Sequence, residues 1–207
     1  MTATRSGTTQ YVILGAGMDT FAFRHSDVVE RLSVFEADHP LTQEEKWRQI
    51  SRAGWEIPET LHFVPVDFTK DNLADRLLKS GYKKEEKTFF SWLGVSYYLT
   101  KGQIENMLKA IHTFAAEGST LLFDYAAEDL FTSPVKRVQN MIAMAAAGGE
   151  PMTTCFSYLE LERMLEKYRF LIYEHLDTKE IQDQFFTGRT VFLTAFEHIQ
   201  YALTVLK

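Results

Sequence analysis

A single cysteine, Cys155, stands in 207 residues, so no internal disulfide can form, and no Cys/His spacing matches a zinc site. Positive charge is also short: 22 Lys and Arg against 28 Asp and Glu leave a formal net charge of −6. That balance withholds the clustered cations on which nucleic-acid affinity rests, and the pairs Lys83-Lys84 and Lys136-Arg137 read as solvated surface. No apolar run approaches the roughly 18 residues of a membrane-spanning helix, and the leading MTATRSGTTQ has no signal-peptide apolar stretch. These absences point to a reducing, cytoplasmic setting without nucleic acid or membrane as partner, and leave the oligomeric state open.

What is present suits one globular domain over residues 1–207, with 45% hydrophobic and 24% charged residues. Strand-like runs at 11–15, 33–37, 62–66, 88–93 and 119–125 alternate with helix-like ones, the pattern of a parallel sheet covered on both faces. Thr42-Gln43-Glu44-Glu45, Thr100-Lys101-Gly102-Gln103 and Ser157-Tyr158-Leu159-Glu160 have the form of capping boxes at helix starts. Ile104, Met107, Leu108, Ile111 and Phe114 then make an apolar stripe at helical spacing. Residues 126–156 break the rhythm with an Ala- and Met-rich helical insertion ending at Gly148-Gly149, placed to cover a pocket that Met141, Met144 and Met152 would line. The last apolar runs, 170–176 and 190–197, are separated by too few residues for a helical crossover, which predicts an antiparallel pair. The expected fold is α/β: a doubly wound, mostly parallel seven-stranded sheet whose last strand is antiparallel.

The first strand ends in Gly15-Ala16-Gly17, a nucleotide-binding turn where a ligand crosses the carboxyl ends of the strands. A dinucleotide fingerprint asks for glycine or alanine at position 20, where this chain has Thr20. The second strand ends in FEADHP, with Glu36 and Asp38 on one pleat face, about where a carboxylate takes the hydroxyls of a ribose. The third ends in PVDF, offering Asp67 to the edge and Phe68 to the face of an adenine. With no cation after the glycines to meet a pyrophosphate, and with Asp19 there to repel one, the ligand is an adenosine compound without phosphates. S-adenosylmethionine, cationic at sulfur and nitrogen, meets that description. His39 neighbours Asp38, while His112 falls within a helix as a packing residue.

VILGAGMDTFAFR, VFEADHP, FVPVDF and FFSWLGVSYYLT, in this order, resemble the leucine carboxyl methyltransferase family, including its bacterial S-adenosylmethionine-dependent O-methyltransferase branch. The resemblance covers residues 10–125 well and the rest loosely, and implies the Rossmann-like fold of class I methyltransferases with S-adenosylmethionine as cofactor. It places Gly15, Ala16 and Gly17 beside the cofactor's methionine and ribose, Asp38 on the ribose with Glu36 as its structural companion, and Asp67-Phe68 at the adenine. Trp92 is expected against the adenosine. The family's Trp-Glu-Gly is here Trp92-Leu93-Gly94, which puts Leu93 where a carboxylate is expected near the cofactor. The leading helical segment usual in the family, with its arginine for the cofactor's carboxylate, is expected to be absent. Tyr97, Tyr98 and Asp124 point to the ligand face as candidate contacts to the methyl acceptor, a small molecule or a peptide end bearing a carboxylate or hydroxyl. No residue is singled out as a catalytic base and none as a metal ligand. Two other readings stand beside this one: an inactive adenosine-binding relic of a methyltransferase, and a nicotinamide-dependent oxidoreductase.

Overall fold

The computed structural model describes residues 7–190 and 192–207, Ser26 by its main chain alone. Its strands are β1 (Gln10–Leu14), β2 (Ser33–Asp38), β3 (Leu61–Pro65), β4 (Thr88–Trp92), β5 (Thr120–Ala126), β6 (Phe170–Leu176) and β7 (Ile199–Leu206), and they form one sheet in the order β3-β2-β1-β4-β5-β7-β6. The β1, β2, β3, β4 and β5 pairings are parallel, and β7 runs antiparallel between β5 and β6. The doubly wound, Rossmann-like class predicted from the sequence is the one observed.

Short helices α1 (Phe21–Arg24) and α2 (Ser26–Val29) follow β1, and α3 (Pro40–Ala53), α4 (Leu73–Lys79), α5 (Lys101–Phe114), α6 (Lys136–Ala147), α7 (Tyr158–Lys167) and α8 (Thr178–Ile181) fill the remaining connections. Thr100 and Ser157 each complete a capping box, with Gln103 and Glu160 as the reciprocal partners, so two free amides at each helix start are satisfied. The box expected at Thr42 does not form. Pro40, with φ preset and no N–H to orphan, starts α3 three residues earlier, and His39 caps it by accepting the Leu41 N–H through Nδ1.

One face of the sheet carries the main core. There Val12, Leu14, Phe35, Phe90, Trp92, Leu121 and Phe123 meet Leu77 of α4, the α5 stripe and Leu161 and Leu165 of α7. On the other face Ile13, Val34 and Leu61 pack against Ala22 and Val29, while Trp47 of α3 lies 5.0 Å from the Phe63 ring. A third cluster, containing Ala126, Val138, Met152 and Ile199, sits at the carboxyl end of β5 beneath α6.

The run 190–197 is not a strand. Val191 lies outside the described residues, and Phe192 and Leu193 are exposed. The strand that pairs with 170–176 is β7, eight residues long, whose Ala202, Thr204 and Leu206 are buried against β5 and β6. Burial there follows from a partner on each side, which the apolar run before it lacks. The predicted orientation holds with this later partner.

Candidate functional site

The sheet order lines up the carboxyl ends of β3, β2, β1, β4 and β5 along one edge, with the reversal of strand order between β1 and β4, where open α/β sheets take their ligands. At that point the two glycines do different work. Gly15 (φ +73) donates its N–H to Ala37 O at 2.8 Å, and a Cβ on it would stand 2.4 Å from Val95 Cγ2, so its bareness admits the loop after β4. Gly17 (φ +50) faces open space, and its N–H donates to Asp38 Oδ2 at 2.5 Å. Ala16 between them is buried. We expect Gly15→Ala to cost about 2–3 kcal/mol in urea denaturation, from left-handed strain plus overpacking. Val95→Ala should return the overpacking part in the double variant and leave the strain.

Asp38 is therefore held at the turn: Oδ2 takes the Gly17 N–H and Oδ1 takes the His39 N–H at 2.6 Å. Glu36 is not on the ligand edge. It is 0% exposed and forms an ion pair with Lys46 of α3, also buried. Its main-chain oxygen accepts from Gln43 Nε2 at 2.7 Å, and its Oε1 has no partner among the described residues. Burial pushes its carboxyl above the ordinary carboxylate range, against the Lys46 contact that lowers it. Its role is to tie β2 to α3 behind Asp38.

Asp67 is bound to its own loop, accepting from Thr69 N–H (3.0 Å), Thr69 Oγ1 (2.6 Å) and Lys70 Nζ (2.7 Å). The Lys70 ammonium and then the Thr69 donors hold its carboxyl well below the usual range. Phe68 packs against the main core and lines a groove of about 320 Å³ between α4 and α5.

After β4, Trp92 is 0% exposed in the core, with its ring 6.4 Å from Phe123 and its Nε1 unpartnered among the described residues. That burial removes it from direct contact with a ligand, because both residues of its pleat face, Phe90 and Trp92, turn toward α5. Leu93 is 42% exposed at the edge. Gly94 N–H donates to both Asp124 oxygens (2.9 and 3.1 Å), and Ser96 Oγ donates to Asp124 O at 2.5 Å. Asp124 is buried without a cationic partner among the described residues, and desolvation raises its carboxyl to about 6. Tyr97 and Tyr98 follow in a 3₁₀ turn with rings 4.8 Å apart. Burial first, then the charge of Asp124, pushes the Tyr97 hydroxyl up.

The predicted cover behaves as two parts. Met152 is core, whereas Met141 and Met144 of α6 line a cavity of about 500 Å³ whose opposite wall is Tyr98. Gly148-Gly149 ends the helix in a Schellman motif: Gly149 N–H donates to Ala146 O (3.1 Å), Glu150 N–H to Ala145 O (3.0 Å), and Gly149 has φ +84. The segment 126–156 is fastened by His198, whose Nδ1 pairs with Asp129 (2.8 Å) and whose Nε2 pairs with Ser133 (2.8 Å), and by Arg137, which bonds Glu197 and Ala195 O. Sequence reading passed over Lys46, Arg137 and His198. For Lys46 a signal existed: an acid inside the apolar strand VFEAD needs a buried partner. Among the described residues no group of His, Cys, Asp and Glu is arranged to hold a metal, and no helix is long and apolar enough to cross a membrane.

The leucine carboxyl methyltransferase family matches over residues 1–112. The Bacillus subtilis protein named "Putative S-adenosyl-L-methionine-dependent methyltransferase YktD" is 50% identical over 203 residues, 97% of this chain and 66% of that protein. A Saccharopolyspora erythraea protein with the same description, without the suffix, is 33% identical over 122 residues, 59% of this chain and 42% of that one. The chain thus spans just under two thirds of the first relative's length and less than half of the second's. Among solved structures, mitomycin 7-O-methyltransferase MmcR aligns over 98% of this chain and 50% of its own at TM-score 0.64 and 14% identity. Human N-acetylserotonin methyltransferase in complex with SAM aligns over 97% of this chain and 48% of its own at TM-score 0.60 and 13% identity. At such identities the likeness is one of fold.

Proposed function

Since the chain belongs to the leucine carboxyl methyltransferase family, we propose that it binds S-adenosylmethionine across the carboxyl ends of β2, β1 and β4 and is an O-methyltransferase toward a carboxylate or hydroxyl. The acceptor on this reading is a small molecule or a peptide end. One observation carries the cofactor assignment: the Asp38 carboxylate at the Gly17 amide, on the side where the glycine leaves open space.

The residues present suit that cofactor. A carboxylate has about four acceptor positions, and Asp38 uses two of them on main-chain N–H groups, which leaves capacity for a ribose diol. Met18 and Leu93 are exposed apolar side chains beside the turn, and Asp19 and Asp38 supply negative charge to a cationic ligand. S-adenosylmethionine supplies an electrophilic methyl group when bound. The chain's own contribution is to hold nucleophile and methyl in line, which accounts for much of the acceleration in a displacement. A carboxylate acceptor needs no base at neutral pH, whereas a hydroxyl does.

Calorimetric titration with S-adenosylmethionine tests the reading. We expect saturable binding to the wild type, weaker by at least about tenfold in Asp38→Ala, the size of a lost charge-assisted hydrogen bond, and no binding of NAD. No heat with S-adenosylmethionine overturns the proposal. Exposed Leu93, where an acid was expected, favours a second reading, a binder without turnover; methylated product with any acceptor rules it out.

A further inference from the structure

The cavity beside α6 is a separate concavity from the edge that takes the cofactor, yet it adjoins it. Gly15 packs on Val95, and the Tyr98 N–H donates to Val95 O at 3.1 Å, so one turn of chain links the glycine loop to the cavity wall. Its apolar part is the Tyr98 ring with Met141 and Met144, conformationally adaptable, and Asn140, Arg137 and Glu150 supply its polar groups.

Its charges are unequal. Arg137 lines the cavity, but its guanidinium is already committed to Glu197, to Thr194 Oγ1 (2.9 Å) and to Ala195 O, and it lies 4.9 Å from the Phe196 ring. Glu150, brought to the rim by the Schellman motif, has no ion-pair partner among the described residues. Asp124, behind Tyr98, is likewise without a cation. Among the described residues, the lining's one cation is paired and its one acid is not, so the uncompensated charge at the cavity is negative.

We propose that this cavity receives the methyl acceptor and selects an uncharged, apolar-bodied molecule carrying a hydroxyl, rejecting carboxylates. The assignment as acceptor site rests on the methyltransferase reading above; the charge preference does not. A carboxylate entering here would meet Glu150 at the rim and feel the charge of Asp124 through Tyr98, with no uncommitted cation in the lining among the described residues, and like charges brought together repel. A neutral hydroxyl keeps its hydrogen bonds and buries its body against Tyr98 and the methionines.

Two probes of one shape test it: uncharged 2-naphthol and anionic 2-naphthoate, titrated by calorimetry at pH 7 into the wild type, Glu150→Gln and Met144→Lys. Met144 is 74% exposed, so its replacement leaves the core alone. We expect 2-naphthol to bind the wild type at least about tenfold more tightly than 2-naphthoate, the gap to narrow in Glu150→Gln, and the preference to reverse in Met144→Lys. Equal or tighter binding of 2-naphthoate to the wild type overturns the proposal, as does saturable binding of neither probe or indifference to both substitutions. A separate titration with S-adenosylmethionine keeps the two readings apart. Failure there with the probe preference intact removes the methyltransferase reading and leaves the charge selection standing.

Discussion

Replacing Lys46 by Ala will destabilise the protein by about 3–5 kcal/mol, the cost of stranding one member of a buried ion pair. The side chains of Lys46 and Glu36 are 4% and 1% exposed, so neither water nor salt can stand in for the missing partner. The thermal midpoint should fall by roughly 10 °C in a chain of this size, and the deficit should depend on pH with a definite sign. Burial already raises the Glu36 carboxyl; without Lys46 it rises further. A raised folded value means the native state holds its proton over a window where the unfolded chain has lost it. The penalty is therefore full above that window and shrinks as pH falls through it. Lys46→Ala should then differ least from the wild type near pH 4. Glu36→Gln combined with Lys46→Met keeps shape, removes both charges and should recover most of the loss; a double variant no better than Lys46→Ala would refute the ion-pair account. Because Glu36 lies two residues before Asp38 on the same strand, Lys46→Ala should also weaken cofactor binding, and the double variant should restore it.

Much of this fold was legible because local and long-range signals agree. The α5 stripe from Ile104 to Phe114, the boxes at Thr100 and Ser157, and the strand-helix alternation all describe the same right-handed crossovers, and β1 to β5 fall within a residue or two of where the pattern puts them. Position along a strand is legible too: β2 ends at Asp38 as the pattern predicts, while β5 runs two residues beyond Asp124. What a side chain meets across the sheet is not. Glu36 shares a pleat face with Asp38, and pattern alone cannot distinguish an acid turned to a ligand from one paired with a lysine ten residues on. Phe90 and Trp92 were read onto one face correctly, but which face looks at α5 and which at the ligand depends on packing. The run 190–197 is misread for the same reason: it and β7 are both largely apolar, and pattern alone does not say which of the two takes the pairing positions beside β5, which go to Ile199–Leu206.

Asp124→Asn should make the protein more stable at neutral pH, a result that locates the cost of keeping an acid at this position. The Asp124 carboxyl titrates near 6 in the fold against an ordinary 3.8, and a difference of about two units corresponds to roughly 3 kcal/mol between the two protonation states. The sign follows from the direction. Between these values the native state binds the proton that the unfolded chain has released, so the group's unfavourable contribution is absent below about pH 4, grows as pH rises and is complete above about pH 6. An asparagine can still accept the Gly94 N–H through its oxygen and never ionises. Urea denaturation should show Asp124→Asn gaining up to about 3 kcal/mol at pH 7.5 and little at pH 4; a gain independent of pH would mean that packing, not charge, explains it. The loop tied by Asp124 carries Tyr97 and Tyr98 to the cavity wall, and the same carboxylate contributes to the negative field there. The variant should therefore also accept 2-naphthoate more readily than the wild type does. Stability gained together with selectivity lost is the signature of a charge kept for the ligand at the expense of the fold.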